Sequence, residues 1–389
     1  MKNYRLIFIL LLSTFLLNGC ATISGFLGGK DNTEPPAPLP EFNATLPVYL
    51  QWRRDTGEGT RGAYLRLQPV VTGNVVVVAE ANGWVRTYNA DDGNVIWQVR
   101  TGSEISSGPS MKNDTIVVGT RDAQVIALQR SDGLILWQAP VSNEVLAAPT
   151  LTNDKVFVIS VDNNLTALDL YNGERLWQYD HFSPDLVLHA NSSPQVMNDL
   201  VIAGFADGKL LAFAENSGQL VWQRAIAEPV GQTEVDRLVD IAADPIISQG
   251  VIYAVAYQGS LVAMELDTGL VLWDREFSSY TGMALSGDRL FVSDMDSTLW
   301  AFDRNNGQVV WRQEDLYARS ITAPSVVGNA VVVGDIEGYL HWLSQDNGQF
   351  LARVNLDKRG SIIAPVTVKA GQVYALSNKG VLGDYQVGG

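Results

Sequence analysis

From about residue 48 onward, short apolar runs rich in β-branched residues alternate with turn signals, and no stretch sustains a helical period. The runs at 75–79 and 115–118 are representative. Seven segments end in an Asx/Ser/Thr-Gly pair: Asp92-Gly93, Asp132-Gly133, Asn172-Gly173, Ser217-Gly218, Thr268-Gly269, Asn306-Gly307 and Asn347-Gly348. Six of them carry a tryptophan four residues after the glycine, at Trp97, Trp137, Trp177, Trp222, Trp273 and Trp311, and Ala352 takes that place in the seventh. Six residues before the glycine the position is usually small, as in Ala127, Ala167, Ala212, Ala263 and Ala301. Successive tryptophans lie 40, 40, 45, 51 and 38 residues apart. Glycine in these pairs supplies the positive φ that a tight hairpin demands.

Each unit parses into four short strands; in the second they fall at 108–111, 115–120, 124–129 and 134–140. Tandem four-stranded units of about 40 residues predict a β-propeller. Seven complete units begin near Pro69, Pro109, Pro149, Pro194, Pro245, Met283 and Pro324. An eighth starts at Pro365 but holds only three strands before Gly389. A lone strand at 48–53 carries Trp52, the residue type expected on an outermost strand. Letting it complete the last unit closes the ring and removes an open edge. The expected fold is therefore all-β, an eight-bladed propeller of four-stranded antiparallel blades over 48–389, with Trp52 and the six repeat tryptophans named above as structural residues.

The N-terminus changes the picture of where this body resides. Lys2 and Arg5 precede an apolar run at 6–17, too short to span a bilayer but suited to a signal sequence. The run ends in Leu17-Asn18-Gly19-Cys20, which resembles a bacterial lipobox, and Cys20 is the only cysteine. The expected division is a signal peptide at 1–19, then a lipidated N-terminus and extended tether at 20–47. Pro35, Pro36, Pro38, Pro40 and Pro47 stiffen that tether. Ala21 behind the lipidated cysteine implies sorting to the outer membrane, on its periplasmic face.

Charge and cysteine count exclude several functions. Loss of 1–19 leaves 25 basic against 42 acidic residues, a net charge of about −17. Nucleic acid and anionic lipid both require positive surface, so membrane contact is expected through the lipid anchor alone. With one cysteine, neither a disulfide nor a thiolate metal site can form within the chain. His181, His189 and His341 show no metal spacing and no paired nucleophile. Gly57-Glu58-Gly59-Thr60-Arg61-Gly62 fits a dinucleotide fingerprint, but no helix-forming stretch follows it, so it reads as a flexible inter-blade loop. Asp294 and Asp296 read as a solvated turn. No catalytic residue, metal or cofactor is expected.

The repeat breaks in two places. From tryptophan to the next unit's first proline is 12 residues at Trp97–Pro109 and Trp137–Pro149, but 17 at Trp177–Pro194 and 23 at Trp222–Pro245. Both long connections join an outermost strand to the next innermost strand, so they lie on one face of neighbouring blades. Loops on a rigid scaffold are where function concentrates. The first offers Leu186, Leu188 and His189, and the second offers Glu234, Asp236, Arg237, Leu238 and Asp240. Apolar anchors beside charges suit a protein-docking patch.

The A-x-x-x-x-x-G-x-x-x-W pattern resembles quinoprotein-type propeller repeats. The stretches Gln232-Thr233-Glu234-Val235-Asp236-Arg237-Leu238-Val239-Asp240 and Gly334-Asp335-Ile336-Glu337-Gly338-Tyr339-Leu340-His341-Trp342 resemble the BamB family more closely, over nearly the whole mature chain. That resemblance implies a scaffold lipoprotein of the BAM complex, aiding insertion of β-barrel proteins into the outer membrane. It also implies that the two long loops bind the periplasmic POTRA region of BamA. Leu186, Leu188 and Asp240 match family contact positions, whereas His189 replaces a usual arginine and Ala242 a usual acid. Exposed strand edges would be free to hold unfolded outer-membrane proteins by strand addition. The alternative is a degenerate quinoprotein-type or ligand-binding periplasmic propeller. Quinoprotein enzymes carry adjacent cysteines and calcium-binding acids, and this chain has no second cysteine.

Overall fold

The computed structural model describes residues 34–388. The signal sequence and Cys20 lie outside the described residues. Thirty-two strands form eight antiparallel sheets of four, each a meander that runs from the innermost to the outermost strand. Blade 1 comprises Val70–Thr72, Val75–Ala79, Trp84–Asn89 and Val95–Arg100, and blades 2 to 7 repeat the plan. Blade 8 runs outward through Thr367–Lys369, Gln372–Leu376 and Val381–Val387, and its outermost strand is Val48–Asp55 from the other end of the chain. The innermost strands of blades 8 and 1 also touch, which closes the ring.

The middle strands are continuous apolar runs because both of their faces are covered by neighbouring blades. Val76, Val77 and Val78 of blade 1 are all buried, as are Ile116, Val117 and Val118 of blade 2. The outer strands alternate, burying one side and wetting the other.

The tryptophans lock one blade to the next. Each indole Nε1–H donates to a backbone carbonyl of the following blade: Trp52 to Ala90, Trp97 to Arg130, Trp137 to Leu170, Trp177 to Glu215, Trp222 to Leu266, Trp273 to Arg304 and Trp311 to Gln345, all at 2.8–2.9 Å. Each ring lies flat against the glycine of that blade's Asx-Gly turn. A Cβ on Gly173 would meet Trp137 at 2.5 Å, and one on Gly348 would meet Trp311 at 2.6 Å. Glycine is thus required twice over, for a φ of +72° at Gly173 and for the ring above it.

The small position pairs directly with the tryptophan across the strands, as in Ala127↔Trp137 and Ala212↔Trp222. Blade 7 inverts this pair. There Trp342 faces Ala352, and Trp342 is buried edge-to-face against Tyr385 of blade 8. The missing seventh tryptophan has been moved one strand inward. In blade 8 the small position is Asp384, which faces Trp52 and is fully buried.

The expected tether is shorter at its C-terminal end than 20–47. Residues 37–46 lie along the propeller: Leu39 and Leu46 join its hydrophobic clusters, Phe42 stacks on Phe350 with ring centres 5.4 Å apart, and Thr45 and Leu46 donate to Leu351 O. The apolar side chains of this segment find partners on blade 7. Residues 57–62 likewise pack instead of flexing. Thr60 N–H donates to Asn378 O at 3.0 Å, and Gly59 sits against Asn378 and Gly380. No helix follows that segment.

Candidate functional site

Connections from an outermost to the next innermost strand share one face of the ring with the turns between second and third strands. Two of the longest, 226–245 between blades 4 and 5 and 181–194 between blades 3 and 4, the latter equal in length to 56–69 between blades 8 and 1, stand side by side on that face. The first is rooted by His181, whose Nε2 lies 3.0 Å from Asp207 Oδ2 and whose ring is 4.4 Å from Phe205. Beyond it the chain exposes Phe182 and Leu186, while Leu188 is half-buried and His189 is exposed. His189 Nε2 is 3.3 Å from Glu144 Oε2, and Arg121 reaches the same glutamate at 3.6 Å.

The second connection builds a compact self-capped turn. Thr233 N–H donates to Asp236 Oδ2 and Asp236 N–H to Thr233 Oγ1, both at 3.1 Å. Hydrogen bonding from the Thr233 side chain, and then from its N–H, holds the Asp236 carboxyl below its ordinary range. Arg237 pairs with Glu234 three residues back. Gln258 of blade 5 anchors the turn through Val235 O at 3.3 Å. The turn therefore presents Glu234, Asp236 and Arg237 to solvent beside Val230 and Val235, which are 75% and 62% exposed.

Asp240 is placed differently from the expectation. It is 2% exposed, so it cannot be a direct charged contact for a partner. Its backbone bridges to Tyr257, and its carboxyl lies between the loops, near the N–H groups of Leu188 and Ile241. Burial pushes that carboxyl up to about 8, against the pull of these N–H groups and of Arg66. The reason is local. Ile241 next to it drops its side chain onto Gly204 of blade 4, where a Cβ would come within 2.4 Å. That contact carries Asp240 down with it. Asp240 thus holds the base of one loop to Leu188 of the other.

Arg66, which sequence reasoning passed over, is the other clamp. From the connection between blades 8 and 1 it donates to Ala242 O at 3.1 Å and to Tyr280 O at 2.9 Å. Ala242 is buried beneath it, at a depth where an acidic side chain would not reach solvent. Ser193 N–H donates to Asp244 Oδ1 at 2.6 Å, a second tie between the two loops. Only a carbonyl and a backbone amide are recognised in these last two ties, so no residue pattern announced them.

The three histidines do not converge: each meets a different acid, Asp207, Glu144 or Asp335. Asp294 caps its own turn and accepts the Trp300 indole N–H at 2.7 Å. Among the described residues no cluster of three or more His, Cys, Asp or Glu side chains is placed to hold a metal ion.

Two adjoining, internally braced loops with an apolar and charged crest, on a repeat-built ring, define an eight-bladed propeller with one elaborated face. The comparisons sharpen this. The family model described as "Outer membrane protein assembly factor BamB" matches residues 49–105 and 81–313. The assembly factor BamB of Legionella pneumophila is 46% identical over 373 residues, 96% of this chain and 97% of the relative. That of Alkalilimnicola ehrlichii is 50% identical over 333 residues, 85% and 86% of the two chains. The crystal structure of BamB from Moraxella catarrhalis superposes with a TM-score of 0.80 at 27% identity, covering 87% of this chain and 99% of that one. The chain belongs to the BamB family of outer membrane protein assembly factors.

Proposed function

We propose that the chain is a non-catalytic scaffold lipoprotein, anchored through Cys20 to the periplasmic face of the outer membrane, whose paired loops dock the POTRA region of BamA within the BAM complex. The observation that carries this reading is the bracing of 181–194 against 226–245 through Ser193–Asp244 and the Asp240 carboxyl beside Leu188, with Arg66 holding 226–245 from the connection between blades 8 and 1. A preformed crest loses little conformational entropy on binding. Leu186 supplies the apolar anchor, and Glu234, Asp236, Arg237 and His189 form a polar rim. Rim charges set orientation and encounter rate more than affinity. Asp240 and half-buried Leu188 act from beneath, as positioning residues. The anchor raises the local concentration of the propeller beside a membrane-embedded partner.

The test is affinity purification of the tagged lipoprotein from mild-detergent envelopes, wild type against Leu186→Asp. Leu186 is 40% exposed, so the variant folds with an unchanged melting temperature. Co-purification of a large barrel protein with wild type, falling at least tenfold in the variant, supports the docking face. Equal recovery with both moves the contact elsewhere on the ring.

A further inference from the structure

The segment 37–47 begins at the connection between blades 6 and 7, on the loop face. Ala37 N–H donates to Tyr317 O at 3.0 Å, and Arg319 Nη1 donates to Ala37 O at 2.8 Å. It then passes the outermost strand of blade 7, Phe350–Asn355. There Arg353 Nη1 donates to Pro40 O at 3.0 Å, with its guanidinium 5.0 Å from the Phe42 ring and 5.2 Å from Phe350. Thr45 and Leu46 N–H meet Leu351 O at 2.9 and 3.2 Å. Finally Pro47 O accepts from Gly388 N–H, at the end of blade 8's third strand and hence on the opposite, turn face. The segment crosses the full height of the ring.

Its chemistry fits that course. Pro38 and Pro40 have no N–H to leave unpaired and hold the chain extended, so carbonyls are what the strap must satisfy. Two arginines supply the donors, and both are held from behind. Arg319, 2% exposed, donates to Asp335 Oδ2 at 2.7 Å and pairs with Glu337. Arg353 Nε donates to His341 Nδ1 at 3.1 Å, which leaves the hydrogen of that buried imidazole on Nε2, 3.0 Å from the same Asp335 oxygen. A buried Arg–Asp–His–Arg chain thus aims two guanidinium groups at the backbone of the strap.

We propose that residues 37–47 are a fixed strap that moves the point where the tether leaves the propeller from the turn face, where the ring-closing strand begins, to the loop face, so that the anchor and the docking loops act on the same side. This rests on the reading that Cys20 is lipidated. Cys20 to Ala37 is 17 residues. Released from Val48, the tether has 28 residues and starts on the far face.

The experiment uses the full lipidated chain on phospholipid vesicles bearing a headgroup quencher. A dye is placed at Tyr64→Cys on the loop face or Asn306→Cys on the turn face. Wild type is compared with Leu39→Ala/Phe42→Ala, which alters the strap and leaves the arginine chain intact. In wild type the loop-face dye is quenched more, by at least twofold, and protease does not cut within 37–47. In the double variant cleavage there rises at least tenfold, the quenching preference is lost and the body melts unchanged. Rapid cleavage within 37–47 of wild type, or a quenching preference identical in both proteins, overturns the proposal. A wild-type chain that does not bind vesicles, with its strap still protected, refutes the anchor and with it the change of exit face, while the docking test above stands apart.

Discussion

Asp384 provides the sharpest check on how the ring is closed. It occupies, in blade 8, the position that is alanine in blades 2 to 6, and it faces Trp52 on the one strand pair that joins the two ends of the chain. Oδ2 accepts from Gln372 Nε2 at 3.0 Å, whereas Oδ1 is buried without a partner. Burial, reinforced by the negative charge of Asp91, pushes the carboxyl from 3.8 up to about 7. Each pH unit of such a rise corresponds to about 1.4 kcal/mol, so the ionised form costs the fold on the order of 4 kcal/mol. Because the folded value lies above the unfolded one, the contribution is fully favourable below about pH 4, is lost as pH rises towards 7, and is flat beyond.

Asp384→Asn keeps the shape and removes the proton. Between pH 5 and pH 8 the wild type loses about 2.5 kcal/mol that the variant does not, since the first part of the loss has occurred by pH 5. Urea melts of both proteins at the two pH values measure this directly. The stability difference between variant and wild type grows by that amount in favour of the variant at pH 8. Taking the difference cancels every other titrating group. A difference that stays constant to within about 0.5 kcal/mol would mean that the seam carboxyl is hydrated or paired, and the reasoning from burial fails.

Two further outcomes follow from the same geometry. Trp137→Ala removes a ring that is 8% exposed and leaves Leu170 O without its donor, so it destabilises by about 3–5 kcal/mol in urea denaturation; an unchanged midpoint refutes the interlock between blades 2 and 3. Asp240, with its carboxyl near 8, is protonated at neutral pH, so binding of a purified POTRA fragment by wild type weakens as pH rises through about 8, while Asp240→Asn binds as wild type at pH 7 and loses that pH dependence. Parallel profiles between pH 6.5 and 9.5 for the two proteins would remove Asp240 from the positioning of the loops.

What the sequence made legible was whatever a short stretch decides by itself. A tight turn needs its glycine, and a glycine four residues before a tryptophan recurs in six blades regardless of the rest of the chain. The exception was legible only in part: Ala352 in the tryptophan position is plain in the sequence, but that Trp342, six residues before Gly348, stands in the slot that is alanine in blades 2 to 6 emerges from the strand pairing. The loops announced themselves as added length, but length says nothing about depth, so Asp240 was taken for a surface contact although Ile241 draws it under the crest. The strap was further out of reach. Arg319 meets Ala37 across 282 positions, and the group it recognises is a backbone carbonyl, which leaves no residue signature at either end.

The departures from the repeat are not scattered. Blades 1, 2 and 6 follow the pattern closely. The inverted Trp342–Ala352 pair, Asp384, the arginine chain and the strap all lie in blades 7 and 8 or at the connection leading into blade 7, next to the seam that closes the ring. The remaining departures are the two long loops around blade 4, halfway round from blade 8. A closed ring of like blades has no intrinsic front, so a propeller must break its own symmetry to be oriented. On the readings proposed above, one break faces a partner and the other fixes the chain that leads to the membrane. The blades between are the rigid spacer that keeps the two at a set distance, which is why their tryptophans and glycines are repeated with so little variation.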